Sequence, residues 1–246
     1  MRLVKPLAVL VLLIVLWWLY CHLTDIDPLV LPPPSAVWES LVHQPGLFWS
    51  NSLDTLRIVL IGFSISLLGG VAAAVLMTRY RLLEETFLPL AVASQVIPTI
   101  AVAPLLVIWM GFGQAPRIAV TALISFFPIL INTVTGLKQV GEPYYDLAAS
   151  IGASKNTRFR KIEFPHALPF IFAGAKMAIT LAVIGAVIGE FVNAESGLGF
   201  LILRGSSQLE TQLMLAALVW LAGMGLILFN LVRLAEYVAV PWERRR

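Results

Sequence analysis

The sequence predicts an all-α integral membrane fold of about six transmembrane helices with the N- and C-termini cytoplasmic. Three observations predict it. First, 59% of the 246 residues are hydrophobic and only 13% are charged, with a mean hydropathy of +0.88, whereas a soluble domain carries roughly 25% charged residues to make its polar skin. Second, long apolar runs recur at about 6–24, 54–78, 87–110, 117–137, 169–192 and 212–232. Each suffices to cross a hydrocarbon core of about 30 Å at about 1.5 Å per residue, and backbone groups in lipid must pair within the segment, so each run reads as a helix. Third, the cations are asymmetric. With the N-terminus inside, Arg2, Lys5, Arg79, Arg81, Lys138, Lys155, Arg158, Arg160, Lys161, Arg233 and Arg244–Arg246 fall on the cytoplasmic side, against Arg57, Arg117 and Arg204 outside. The reverse orientation breaks the positive-inside rule.

The first run follows Arg2 and Lys5 and has the charge pattern of a signal peptide. It is long for a signal core and no small-residue cleavage site follows it, so it reads as an uncleaved helix. The outer loop after it contains Leu31-Pro32-Pro33-Pro34-Ser35. The prolines fix an extended path, and Ser35 reads as the N-cap of a short helix whose apolar Val37, Trp38, Leu41 and Val42 lie along the membrane interface. In the second span Gly62, Ser66, Gly70 and Ala74 share one face, and Gly185 and Gly189 do so in the fifth. Small faces allow close helix packing, either within one subunit or between subunits. The third span carries Pro98 and Pro104, each of which removes a backbone hydrogen bond and predicts a kink, with Ser94 and Gln95 one turn earlier. Glu190 is the costliest group in the spans, and Asn132 is a cheaper polar one. Glu190 reads as a structural hydrogen-bonding group, as part of a gate or pathway, or as an interfacial carboxylate. Lys176, within two turns of a helix end, is expected to snorkel.

The inner loop, about 139–168, is the most informative segment. Pro143 suits a helix start, Leu147, Ile151, Phe159 and Ile162 recur near helical spacing, and Gly152 interrupts them, which predicts two short helices and a turn. Pro165 and Pro169 are expected to end this unit before the fifth span. Ala148, Ala149, Gly152 and Ala153 make a bare face open to close backbone approach, ringed by Arg158, Arg160 and Lys161. On the residues alone this is either a docking element or a solvated amphipathic loop facing headgroups.

The same loop resembles the EAA motif of ATP-binding-cassette (ABC) importer permeases. Asp146, Ala148, Gly152, Ile162, Phe164 and Pro165 stand at the motif's positions, with Asp146 for the usual Glu, Leu147 for the first Ala and Phe164 for Leu. Pro98–Leu105 with Trp109-Met110-Gly111-Phe112-Gly113, then Phe127-Pro128, Asn132-Thr133 and Gly136, then Gly185–Glu190 and Gly197-Leu198-Gly199, are similar to successive segments of the nitrate/sulfonate/taurine-type permeases. The resemblance implies the type I importer permease fold in a bacterial inner membrane. It implies three segments: residues 1–52 with the first helix and proline-rich loop, a permease core at 53–236 with its coupling loop at 139–168, and a basic tail at 237–246. In this reading Asp146, Ala148, Ala149, Gly152, Ala153, Arg158, Ile162 and Pro165 form the ATPase-coupling loop, with Asp146 capping or anchoring its helix. Gln95, Pro98, Pro104, Asn132 and Glu190 are the pathway or gate candidates. Implied partners are two ATPase subunits, a second permease copy in a homodimer, an external substrate-binding protein and membrane lipid. The substrate is expected among small anions such as nitrate, sulfonates and taurine, or among thiamine-pyrimidine-like and riboflavin-like molecules.

Chemistry on the chain itself has little support. There is no GxxxxGK[ST] phosphate loop, so ATP and Mg are expected on a partner subunit and no cofactor on this one. There is no HExxH, no Cys/His cluster around the single Cys21 and no GxSxG. Nucleic-acid binding is not expected, because the orientation rule already explains the basic residues. The alternatives are a membrane-embedded enzyme built around Glu190, Asn132 and Gln95, and an exporter or lipid-handling subunit with a similar loop.

Overall fold

The computed structural model describes residues 4–24 and 26–242; Arg2 and Arg244–Arg246 of the charge count lie outside the described residues. The described chain is helical: α1 Val4–Leu23, α2 Pro34–His43, α3 Pro45–Arg79, α4 Arg81–Ser94, α5 Thr99–Met110, α6 Gln114–Lys138, α7 Glu142–Ser150, α8 Lys155–Arg158, a π-helical turn Phe159–Glu163, α9 Phe164–Asn193, α10 Leu198–Ser207 and α11 Thr211–Ala239. Helices Pro45–Arg79, Gln114–Lys138, Lys155–Asn193 and Thr211–Ala239 are long and apolar enough to span a membrane, with Leu7–Leu23 and Thr99–Met110 as shorter apolar helices.

The expected span at 87–110 is not one helix. It is broken at residues 95–98 into α4 and α5. Pro98 has no N–H to continue the ladder and disfavours helical geometry at Ile97 before it. Pro104 does not break α5, and Pro128 and Pro169 lie inside the longer α6 and α9.

The chain divides into two compact units. The first takes the residues up to Thr55 with Ala194–Met224. Its core is Phe48, Leu198, Leu201, Ala216 and Ala217, all at most 1% exposed. The start of α3 caps α10 from outside: Asn51 Oδ1 accepts from Gly197 N at 2.7 Å and Thr55 Oγ1 from Leu198 N at 2.8 Å. Orphan N–H groups at a helix start need such partners when buried. Ser35 is not the N-cap expected of α2. Pro33 holds that position and Pro34, which has no N–H to satisfy, opens the helix. Of the face read as interfacial, Val37 and Leu41 pack into the core while Trp38 and Val42 stay exposed.

The second unit takes Leu56–Asn193 and Gly225 onward. Here α6 lies against α3 and α9. On α3, a Cβ at Gly62 would stand 2.5 Å from Thr121 Cγ2, and one at Gly70 2.9 Å from Ile129 Cγ2. Between them the Ser66 hydroxyl lies 2.6 Å from the Ala122 carbonyl and 2.8 Å from Ser125 Oγ. The small face of the second span therefore packs within the subunit. The α6–α9 contact sets glycines directly against backbone atoms. A Cβ at Gly174 would meet Pro128 O at 2.8 Å, one at Gly185 Thr121 Cα at 2.8 Å and one at Gly189 Arg117 Cα at 2.9 Å. Small residues let the two backbones touch, which replaces hydrophobic driving force in lipid. Lys176 Nζ reaches both carboxylate oxygens of Glu236, near the end of α11, at 2.8 and 2.7 Å. A cation among apolar helices pairs with a carboxylate on the next helix.

Candidate functional site

The loop between α6 and α9 folds as the sequence predicts, as two short helices around Gly152. A Schellman arrangement ends α7: Gly152 N donates to Ala149 O at 3.0 Å and Ala153 N to Ala148 O at 2.9 Å, with Gly152 at φ +64°. Only glycine enters that left-handed region without strain. Ser154 then caps α8, its Oγ accepting from Thr157 N at 3.2 Å.

Pro165 does not end the loop unit. Residues 155–193 run as one helical stretch, with the π-helical turn just ahead of the proline. Pro165 has no N–H for the carbonyl four residues back, and the ladder there widens: Phe164 N donates to Phe159 O. The wider turn also brings residues five apart together. Arg158 Nε bonds Glu163 Oε1 at 2.8 Å, and the guanidinium carbon lies 4.9 Å from the Tyr145 ring centroid. This clamp joins α7 to the base of α9. Burial pushes the Tyr145 phenol above its ordinary value, Glu163 adds to the rise and Arg158 opposes it. Beside the clamp, Arg79, Lys138, Lys155 and Arg158 line a cavity of about 530 Å³. Lys138 is paired with Glu84.

The clamp sets which loop residues point outward. Ala148 is buried at 3% and packs α7 down, Ala149 and Gly152 are exposed, and Ala153, Ile162 and Pro165 are half-buried. Asp146 is exposed in the middle of α7, so it does not cap that helix; Glu142 holds the first turn. The outward stripe is Tyr144, Leu147 and Ile151, at 51%, 60% and 73% exposure. Sequence reasoning used Leu147 and Ile151 to find the helix, left Tyr144 out, and missed their outward display. The signal for the display was there in the buried Ala148, small enough to turn the larger residues out.

The pathway candidates separate. Gln95 sits in the turn between α4 and α5, and Pro98 is the N-cap of α5. Gln95 lines a cavity of about 390 Å³ with Thr99, Phe127 and Pro128. Asn132 donates to Pro128 O at 2.7 Å on its own helix, at the close approach to Gly174. Glu190 is 1% exposed at the end of α9 where Gly189 abuts Arg117, itself 9% exposed. Two opposite charges thus lie buried at that end of the α6–α9 pair. Neither Asn132, Glu190 nor Pro104 lines the Gln95 cavity. Among the described residues, no group of three or more His, Cys, Asp or Glu side chains is placed to hold a metal ion.

Comparison with known proteins agrees with this arrangement. Residues 65–240 match the family described as binding-protein-dependent transport system inner membrane component. The chain is 38% identical over 238 residues to the riboflavin transport system permease of Chloroflexus aurantiacus, covering 95% of this chain and 88% of that protein. It is 33% identical over 243 residues to the formylaminopyrimidine transport permease of Halalkalibacterium halodurans, covering 98% and 97%. In fold it is similar to a chain of the MetNI methionine ABC transporter, with TM-score 0.65 and 20% identity over 80% of this chain and 97% of that one. The spans, the packed core and the outward-facing loop are thus those of a multi-pass transport subunit, and the chain belongs to the binding-protein-dependent inner membrane component family as a transmembrane permease subunit of an ABC importer.

Proposed function

We propose that two copies of this permease pair to form a pathway, that a separate ATPase subunit docks on each α7–α8 loop, and that an external binding protein delivers the solute. Both termini lie in the cytoplasm on this reading, as the Lys/Arg asymmetry requires. ATP and Mg are held by the ATPase subunits, and this chain carries the movement without binding a cofactor. The solute crosses without chemical change. Its class is a small heterocycle of the pyrimidine or flavin kind, a reading supported by the names of two relatives at 33% and 38% identity, above the 27% of a taurine permease matched over a similar length.

The observation that carries the docking role is the outward stripe on a rigid base. Tyr144, Leu147 and Ile151 are large apolar groups held in the open by a glycine-capped helix and an ion-pair clamp. A solvated loop gains nothing from such a display, whereas a protein interface is centred on buried aromatic and aliphatic anchors. Replacing Leu147→Asp together with Ile151→Asp is expected to weaken ATPase binding at least about 30-fold, the size of one hot-spot loss. Co-purification of the complex from membranes, with the permease alone checked for folding by thermal melting, reads this out. Undiminished ATPase binding by a folded double variant would remove the docking role from this loop.

A further inference from the structure

We propose that the cavity at the α4–α5 break is the substrate-selecting subsite of the pathway, and that it takes an uncharged heteroaromatic ring in preference to an anion. The proposal rests on the importer reading above and adds to it where the ring is held and by which atoms.

The cavity measures about 390 Å³, within the range of about 300–1,000 Å³ typical of small-molecule sites. One wall is α6, with Leu123, Ile124 and Phe127, and Leu181 of α9 adds to the apolar lining. The opposite wall comes from the break itself, where the interrupted helix presents Gln95 and Thr99. No Lys, Arg, His, Asp or Glu lines the cavity.

Its few polar groups are neutral and of both kinds. Gln95 brings an amide with donor and acceptor, and Thr99 a hydroxyl. Thr99 is also the first residue of α5, whose ladder begins with Ala101 N donating to Pro98 O. Its own N–H therefore has no intrahelical acceptor. Across the cavity Ile124 and Pro128 of α6 add to the lining, and Pro128 has no N–H to give the Ile124 carbonyl four residues back. An amide and a hydroxyl, each able to donate and to accept, suit the edge of a nitrogen heterocycle, where ring nitrogens and exocyclic amine or carbonyl groups alternate. Phe127 supplies the stacking surface. Its ring is held edge-on by Phe126, with centroids 5.6 Å apart at 84°, which leaves its orientation fixed by the protein.

A sulfonate or nitrate fits this lining poorly. A full anion moved into an apolar cavity needs a paired cation or several charge-assisted hydrogen bonds. The single helix start at Thr99 brings a partial charge suited to a ring carbonyl. Four cations of this unit, Arg79, Lys138, Lys155 and Arg158, line the loop cavity instead, and neither Arg117 nor Lys176 lines this one.

The test uses the complete importer in proteoliposomes, with Thr99→Cys placed in a Cys21→Ser background and labelled with a thiol reagent. Formylaminopyrimidine, riboflavin and taurine are the probes, and ATP-driven uptake of each is measured in the parent protein. The expected result is labelling slowed at least tenfold by one of the two heterocycles and unchanged by taurine, with Gln95→Leu and Phe127→Leu each lowering uptake of that heterocycle about tenfold. Protection by taurine equal to that by the heterocycle overturns the proposal. So does ATP-driven uptake of a heterocycle that leaves Thr99→Cys fully reactive; in that case the importer reading stands and this subsite alone falls. Absence of ATP-driven uptake of every probe removes the substrate reading on which the subsite rests, and the subsite with it.

Discussion

Prolines in two regions of the second unit have opposite consequences. Pro98 ends helical structure and leaves four residues between α4 and α5 outside any helix. Pro128 lies inside α6 and the helix continues through it. The difference is in the neighbours. Ile129 and Leu130, next to Pro128, are 0% and 1% exposed, and the α9 backbone abuts the Pro128 carbonyl at Gly174. Val96 and Ile97, next to Pro98, are 82% and 57% exposed. A helix that loses one hydrogen bond survives where packing on both sides holds its course, and yields where nothing presses on it. The α6–α9 pair is thereby a stiff beam, and the α7–α8 loop links one end of α6 to one end of α9. A displacement of α7 is carried to α9 through the Tyr145–Arg158–Glu163 clamp, while the turn between α4 and α5 is exposed at Val96 and Ile97.

The largest expected effect comes from driving the beam apart. A side chain at Gly185 would start 2.8 Å from the Thr121 Cα, where only backbone movement makes room. Gly185→Leu is expected to cost about 3 kcal/mol or more and to lower the yield of folded protein sharply. Val96→Leu, in the exposed turn, should leave the melting temperature of the purified permease unchanged. Similar losses for both would mean that the two regions are equally restrained. A smaller effect is expected at the edge of the beam, where Lys176 and Glu236 tie α9 to α11. Each side chain is about one-fifth to one-quarter exposed, so breaking the pair with Glu236→Leu should cost about 2 kcal/mol, below the value for a fully buried pair. Adding Lys176→Met should recover most of that loss, because the stranded charge is removed with it. Additive losses in the double variant would show that packing, not charge, joins these helices.

The spans were legible because lipid imposes a simple rule of length and polarity, and the two short helices α7 and α8 because Gly152 and Pro143 have few conformational uses. The small face at Gly62, Ser66 and Gly70 was legible as a packing surface, but its partner was not, since periodicity names a face and not what covers it. The break at 95–98 was read as a kink, because Pro98 and Pro104 were read alike along the chain, and only the first stands at an interruption of the helix. The cap at Ser35 failed for a local reason, three prolines that place the helix start two residues earlier. The Tyr145–Arg158–Glu163 clamp had no local signal at all. It depends on a π-helical turn that brings residues five apart together, and on a fold-back at Gly152 that sets Tyr145 over Arg158.

That clamp gives the smallest expected effect and the finest test of how firmly the loop is tied to the beam. Burial is the main reason the Tyr145 phenol sits above its ordinary value of 10.0, with Glu163 adding to it and Arg158 opposing. Below about pH 10 the phenol is neutral whether the loop is docked or released, and the contribution of the clamp is intact. As the pH rises past that value the released loop gives up its proton first, so the docked form loses stability until the raised folded value is passed. Tyr145→Phe keeps the ring under the guanidinium and removes the ionisation. Between about pH 9 and about pH 11 the melting temperature of the parent should therefore fall by about 1 °C more than that of Tyr145→Phe. Equal slopes would mean that Tyr145 titrates as freely as a solvated phenol. The loop would then be hinged at its base, and a displacement of α7 would be absorbed there before it reached α9.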